Sequence, residues 1–148
     1  MGGHPYWYFV GHQSDTQAAL DDLRDREFKA GRYNPVIRFI EFNEPQFSQQ
    51  TPGAQHESIE AAMEESAEDG TRSILDISRV GSESDYFTAS PLTLETVEEL
   101  YGTKQPTREM VDRNMGFMEE VERGKCVYLV LYEDGHPAEI CFAGYSFD

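Results

Sequence analysis

Lysine, cysteine and long apolar runs are what this sequence has least of. Three lysines stand beside nine arginines, and these twelve cations face 28 carboxylates, for a formal net charge of -16. A field of that sign repels phosphate backbones and anionic bilayers, so no direct nucleic-acid binding and no membrane binding are expected. No apolar stretch approaches the roughly 20 residues that a membrane-crossing helix needs. The opening Met-Gly-Gly-His-Pro-Tyr-Trp-Tyr has neither the basic start and small-residue cleavage site of a secretory signal nor a myristoylation pattern. Two cysteines make no disulfide framework, and the expectation is a reduced, cytoplasmic protein.

Catalytic signatures are also missing. The sequence holds no P-loop, no dinucleotide fingerprint and no Gly-x-Ser-x-Gly elbow. His4, His12, His56 and His136 are scattered without metal-ligand spacing, so neither a metal nor a cofactor is expected. The pairs Glu64-Glu65, Glu98-Glu99 and Glu119-Glu120 fall in predicted helices. Adjacent helical residues diverge by about 100°, so these pairs read as solvated faces rather than catalytic dyads. No catalytic residue is assigned.

What is present is enough apolar material for a core. Hydrophobic residues make up 39% and aromatics 12% of 148 residues, which fits one globular domain over 1–148. The aromatic run 6–10 suits a strand covered on both faces, with Tyr6, Trp7, Tyr8 and Phe9 as core filling. Ser14, with Gln17 as its capping-box partner, opens a helix whose apolar stripe is Ala19, Leu20, Leu23 and Phe28 and which stops at Gly31. Residues 36–42 read as a second strand, and the polar stretch of about 43–55 as a flexible loop. A helix over 57–68 turns Ile59, Ala62, Met63 and Ala67 inward, and a third strand covers 73–80 before a loop over 81–90. Thr93 caps a short helix ending at Gly102, and Thr107 caps a longer one closed by Gly124.

The C-terminal segment predicts a β-hairpin, 126–132 with 138–143, around Asp134-Gly135. Its first strand is apolar on both faces and belongs inside the sheet. With a two-residue turn, paired positions sum to 269, which places Cys126 and Cys141 as diagonal neighbours on one face, poorly set for a disulfide. The whole predicts an α+β domain with a mixed sheet of about five strands, about four helices and a C-terminal hairpin.

One segment stands against the acidic background. Residues 24–38 hold Arg24, Arg26, Lys29, Arg32 and Arg38 against Asp25 and Glu27, a net +3, while the remaining seven cations and 26 carboxylates net -19. Arg32-Tyr33-Asn34 offers a planar cation, a phenol and an amide at a helix-to-strand junction, groups that hold a carboxylate or phosphate. Arg24, Arg32, Tyr33, Asn34 and Arg38 are thus candidate ligand-binding residues for a small anionic ligand. The plainer account is an ion-pair cluster at a helix C-terminus.

Two readings of function follow, beside a third in which the chain is a structural domain whose charge serves only solubility. The first is a non-enzymatic interaction protein of bacterial type, immunity-like or regulatory, whose acidic helices near 57–69 and 95–99 engage a basic protein partner. The second is a small-molecule (anionic metabolite) binding domain or enzyme with its pocket around Arg32-Tyr33-Asn34 and the 43–55 loop as a lid.

Overall fold

The computed structural model describes residues 3–37 and 51–147. In chain order these form β1 (Pro5–Gly11), α1 (Thr16–Ala30), α2 (Ile59–Glu65), β2 (Arg79–Val80), β3 (Thr88–Pro91), α3 (Leu94–Tyr101), α4 (Arg108–Arg113), β4 (Cys126–Glu133) and β5 (His136–Tyr145). Two 3-10 turns, Ile74–Asp76 and Gly116–Glu120, complete them. The described strands make one mixed sheet in the order β1-β5-β4-β3-β2, an α+β arrangement. β5 pairs antiparallel with both β1 and β4, while β3 runs parallel to β4 and β2 parallel to β3. β4 is central, as its two apolar faces require. Asp134 and Gly135 take φ of 51° and 78°, the left-handed pair that a primed hairpin turn needs. Among the described residues no helix is long and apolar enough to cross a membrane.

Strand alternation divides the core into two layers. Even-numbered Tyr6, Tyr8, Cys126, Ile140 and Phe142 meet Ala19, Leu20 and Leu23 of α1 and Ala62 of α2. Odd-numbered Leu129, Leu131, Cys141 and Ala143 meet Val97 of α3, Val111 of α4, Phe117 and Met118. α1 and α2 therefore cover one face and α3 and α4 the other. Each fully buried large side chain is worth about 1.5–3 kcal/mol of transfer free energy, so both layers contribute.

The hairpin register corrects the expected cysteine geometry. A bulge between Leu131 and Tyr132 shifts the pairing sum, so Cys126 opposes Gly144 and Cys141 opposes Leu129. One residue of slip moves a side chain to the other face. The cysteines thus sit in different core layers, both as free thiols, and burial pushes the Cys141 thiol up to about 12.

Local hydrogen bonds explain the other departures. Asp15, not Ser14, caps α1 by accepting from Ala18 N–H at 3.2 Å. Gln17 instead accepts from Val80 N–H at 2.8 Å and pins β2 to α1. α2 is shorter than expected and leaves Ala67 exposed. The predicted strand 73–80 is a strand only at Arg79–Val80. The Ser73 hydroxyl accepts from Leu75 N–H and Asp76 accepts from Thr71 N–H, so side chains divert the backbone into a turn. β3 lies where a loop was expected, because Thr88–Pro91 has no apolar alternation to announce it. The helix from Thr107 stops at Arg113. Asn114 adopts extended backbone, its side chain accepting from Gly116 N–H at 2.9 Å and its carbonyl from the Tyr101 hydroxyl at 2.6 Å. Of the predicted strand 36–42, Val36 and Ile37 lie in a turn and 38–42 lie outside the described residues.

Candidate functional site

The basic segment begins on the last turns of α1 and continues past its cap. Gly31 has φ of 75°, and its N–H and that of Arg32 close onto the carbonyls of Phe28 and Glu27. A side chain at Gly31 would also strike Gly53, whose N–H donates to the Ala30 carbonyl at 2.9 Å. This position therefore needs glycine for both its angle and its contact.

Each candidate residue among the described ones has an internal partner. Arg24 donates to the Leu75 carbonyl at 2.6 Å and reaches Met63 Sδ at 3.6 Å. Burial lowers its pKa, opposed by Glu60, Asp21 and Asp76. Arg32 makes a two-pronged ion pair with Glu27, 2.8 Å from Nε to Oε1 and 2.7 Å from Nη2 to Oε2. That hydrogen bonding raises the Arg32 pKa. Arg26 Nε joins the same carboxylate at 2.9 Å, and Glu27 is only 2% exposed. Asn34 donates its amide to the Gly70 carbonyl at 3.0 Å, while its own carbonyl accepts from Ser66 Oγ at 2.8 Å. Arg38 lies outside the described residues. The sequence reading did not single out Glu27; the signal that marks it is its helical spacing from Leu20 and Leu23 on the buried side of α1.

Tyr33 opens a relay absent from the sequence reading. Its ring is buried and stacks on Phe28 with centroids 5.7 Å apart. Its hydroxyl bonds His56 Nδ1 at 2.7 Å and accepts from Gln55 N–H at 3.3 Å, while His56 Nε2 meets the Glu65 carboxylate. Burial raises the Tyr33 pKa, with Glu65 adding to it. No regular spacing links residues 33, 56 and 65, so only the fold assembles them. Residues 51–55 of the expected flexible loop run back over α1 and end in this relay; 43–50 lie outside the described residues.

The surface beside these residues is acidic. Asn34 and Pro35 border a recess of about 500 Å3 whose other walls include Glu64, Glu65, Glu68 and Asp69. Residues 57–69 hold six exposed carboxylates and no lysine or arginine. Among the described residues, Glu65 meets His56, Asp69 approaches Arg72 at 3.9 Å, and Glu57, Glu64 and Glu68 form no ion pair. The cations elsewhere mostly face carboxylates of their own: Lys29 with Asp25, Arg79 with Asp85, Arg108 with Asp112 and Glu139, Arg113 with Glu109, Lys125 with Glu122. The second predicted acidic helix, carrying Glu95, Glu98 and Glu99, covers the opposite face of the sheet, so the two do not merge into one patch.

Among the described residues no three histidine, cysteine or carboxylate side chains gather as a metal site. Comparison of the chain with protein-family models, with curated proteins and with solved structures finds no match.

Proposed function

We propose that the chain is a non-enzymatic interaction protein that holds a basic protein partner on the acidic surface of residues 57–69. The observation that carries this reading is the asymmetry of pairing. Neighbouring cations are turned inward onto Glu27 and the Leu75 carbonyl, while Glu57, Glu64 and Glu68 face water without ionic partners among the described residues. Such a surface steers a cationic partner and rejects anions. Covering the basic surface of a nucleic-acid-binding protein, as an immunity-like inhibitor or regulator does, is the role that suits it. The metabolite alternative has weaker support. Arg24, Arg32, Tyr33 and Asn34 already direct their polar atoms to the protein, and the recess beside Asn34 is walled by carboxylates.

The test is capture from host lysate at low and high salt, with the parent protein and with Glu57→Gln/Glu64→Gln/Glu68→Gln. A basic protein held by the parent at low salt, released at high salt and not captured by the triple variant is the expected result. Equal capture by parent and variant overturns the assignment to this surface. Glu95→Gln/Glu98→Gln/Glu99→Gln, on the opposite face, serves as the control and should leave capture unchanged.

A further inference from the structure

The face of the sheet away from residues 57–69 holds a recess of another kind. Ala89 of β3 packs into the layer under α1 and α2, so its neighbour Ser90 points to the side of α3 and α4. Ser90 is only 5% exposed, yet its hydroxyl has no hydrogen-bond partner among the described residues. Buried hydroxyls are ordinarily bonded within the protein. This one opens into a recess of about 290 Å3, where it is free to bond a ligand.

Several parts of the chain converge on it. The loop after β2 brings Ser82 and Ser84, and the first turn of α3 brings Thr96. The side chains of Ser82 and Ser84 bond nothing among the described residues. Thr96 Oγ1 accepts from the Thr93 hydroxyl at 2.9 Å and keeps its own proton to donate. Phe117 of the turn Gly116–Glu120, Val127 of β4 and Leu92 before α3 form an apolar wall. The charged lining is Glu120, Glu122 and Lys125. Lys125 Nζ is already held 3.2 Å from Glu122 Oε1, so no free cation waits there for an anion. Glu120 is exposed and forms no ion pair among the described residues. Its two oxygens can accept from adjacent hydroxyls of one ligand.

We propose that this recess binds an uncharged, polyhydroxylated small molecule, a monosaccharide or a cyclic polyol. Serine and threonine hydroxyls both donate and accept, as the hydroxyls of such a ligand do. Glu120 takes further donors, and Leu92, Phe117 and Val127 cover the C–H side of the ring. An apolar wall with a few convergent polar groups is how small-molecule sites are made. Two carboxylates against one paired lysine disfavour an anionic ligand. The volume lies at the lower end for ligand pockets, which suits a single ring rather than a nucleotide. This site is independent of the acidic surface, which lies across the sheet.

Saturation-transfer NMR tests it, with glucose and inositol as neutral probes and a hexose phosphate as the charged comparator. The parent protein should transfer saturation to at least one neutral probe and bind the phosphate more weakly. Ser90→Ala removes the buried hydroxyl and Glu120→Gln neutralises the exposed carboxylate. Each should weaken the neutral probe by about tenfold. Glu120 lies at the surface, so its variant reports even if the change at Ser90 disturbs folding. Glu57→Gln/Glu64→Gln/Glu68→Gln should bind the probe as the parent does. Transfer to neither neutral probe overturns the proposal. Parent-like affinity in both Ser90→Ala and Glu120→Gln overturns the assignment to this recess. Tighter binding of the hexose phosphate overturns the uncharged class.

Discussion

Residues 24–37 carry four cations and residues 57–69 carry six carboxylates, and the two stretches touch. Ser66 donates to the Asn34 carbonyl, Asn34 donates to Gly70, and the Tyr33 hydroxyl reaches Glu65 through His56. Their charges meet opposite fates. Arg24, Arg26 and Arg32 turn toward a backbone carbonyl and a buried carboxylate, whereas most of the carboxylates on α2 and its flanks face solvent. Charge density along a chain therefore says little about charge available at a surface. What decides it is whether a complementary group lies within hydrogen-bond reach in the fold. The stretch that reads as an anion site directs its described arginines to internal partners, whereas its neighbour, which reads as an acidic interface, presents its carboxylates to solvent.

The sharpest way to break this contrast is to remove the carboxylate that absorbs the cations. Glu27→Ala strands Arg32 and Arg26 beside Tyr8 and the cap of α1. The expected loss is about 3 kcal/mol, the lower end for a broken buried pair because the outer edge of Arg32 can rehydrate. Urea unfolding followed by far-UV circular dichroism measures it. A loss below about 1 kcal/mol would mean that the cluster is a surface ornament and that its cations are available after all. By contrast, each of Glu57→Gln, Glu64→Gln and Glu68→Gln should leave stability within about 0.5 kcal/mol, since these side chains hold nothing together.

The seam between the two stretches gives an intermediate effect. Tyr33→Phe keeps the ring stacked on Phe28 but removes the bonds to His56 and Gln55 N–H. About 1–2 kcal/mol should be lost, with faster amide exchange at Gln55. Unchanged exchange there would show that the Tyr33 hydroxyl does not fasten this segment.

The hairpin, the caps of α3 and α4 and the two-sided packing of β4 were legible because each has a local cause in consecutive residues: a Asp-Gly turn, a threonine cap, an apolar run. β3 and the bulge at Leu131 were not. β3 is a four-residue strand that pairs in parallel with the two-residue β2 and with β4 far along the chain, and a bulge is set by the strand across from it. The role of Glu27 was not read from the sequence, because the spacing that puts it on the Leu20, Leu23 side of α1 does not say which cations it meets. The Tyr33–His56–Glu65 relay joins residues far apart in sequence and leaves no periodic trace.

Asp76 sharpens the contrast from the inside, with the smallest expected effect. It is an acid on the buried side, accepting from Thr71 N–H with both oxygens and lying within the field of Arg24. Burial nevertheless dominates and raises its pKa above the usual 3.8. The folded protein therefore retains a proton on Asp76 at pH values where the unfolded chain has released it. The stabilising contribution of the protonated form is present below the ordinary carboxyl range and is lost as pH rises through the raised value. Asp76→Asn keeps one acceptor for Thr71 N–H and removes the titration. The stability of the parent relative to this variant should rise as pH falls from neutral toward 4, measured by urea unfolding across a pH series. The many surface acids titrate alike in both proteins and cancel in the difference. A difference that instead falls toward acid would mean that the hydrogen bonds of Thr71 and the charge of Arg24 outweigh desolvation. Asp76 would then belong with Glu27, as a second buried carboxylate that holds a cation.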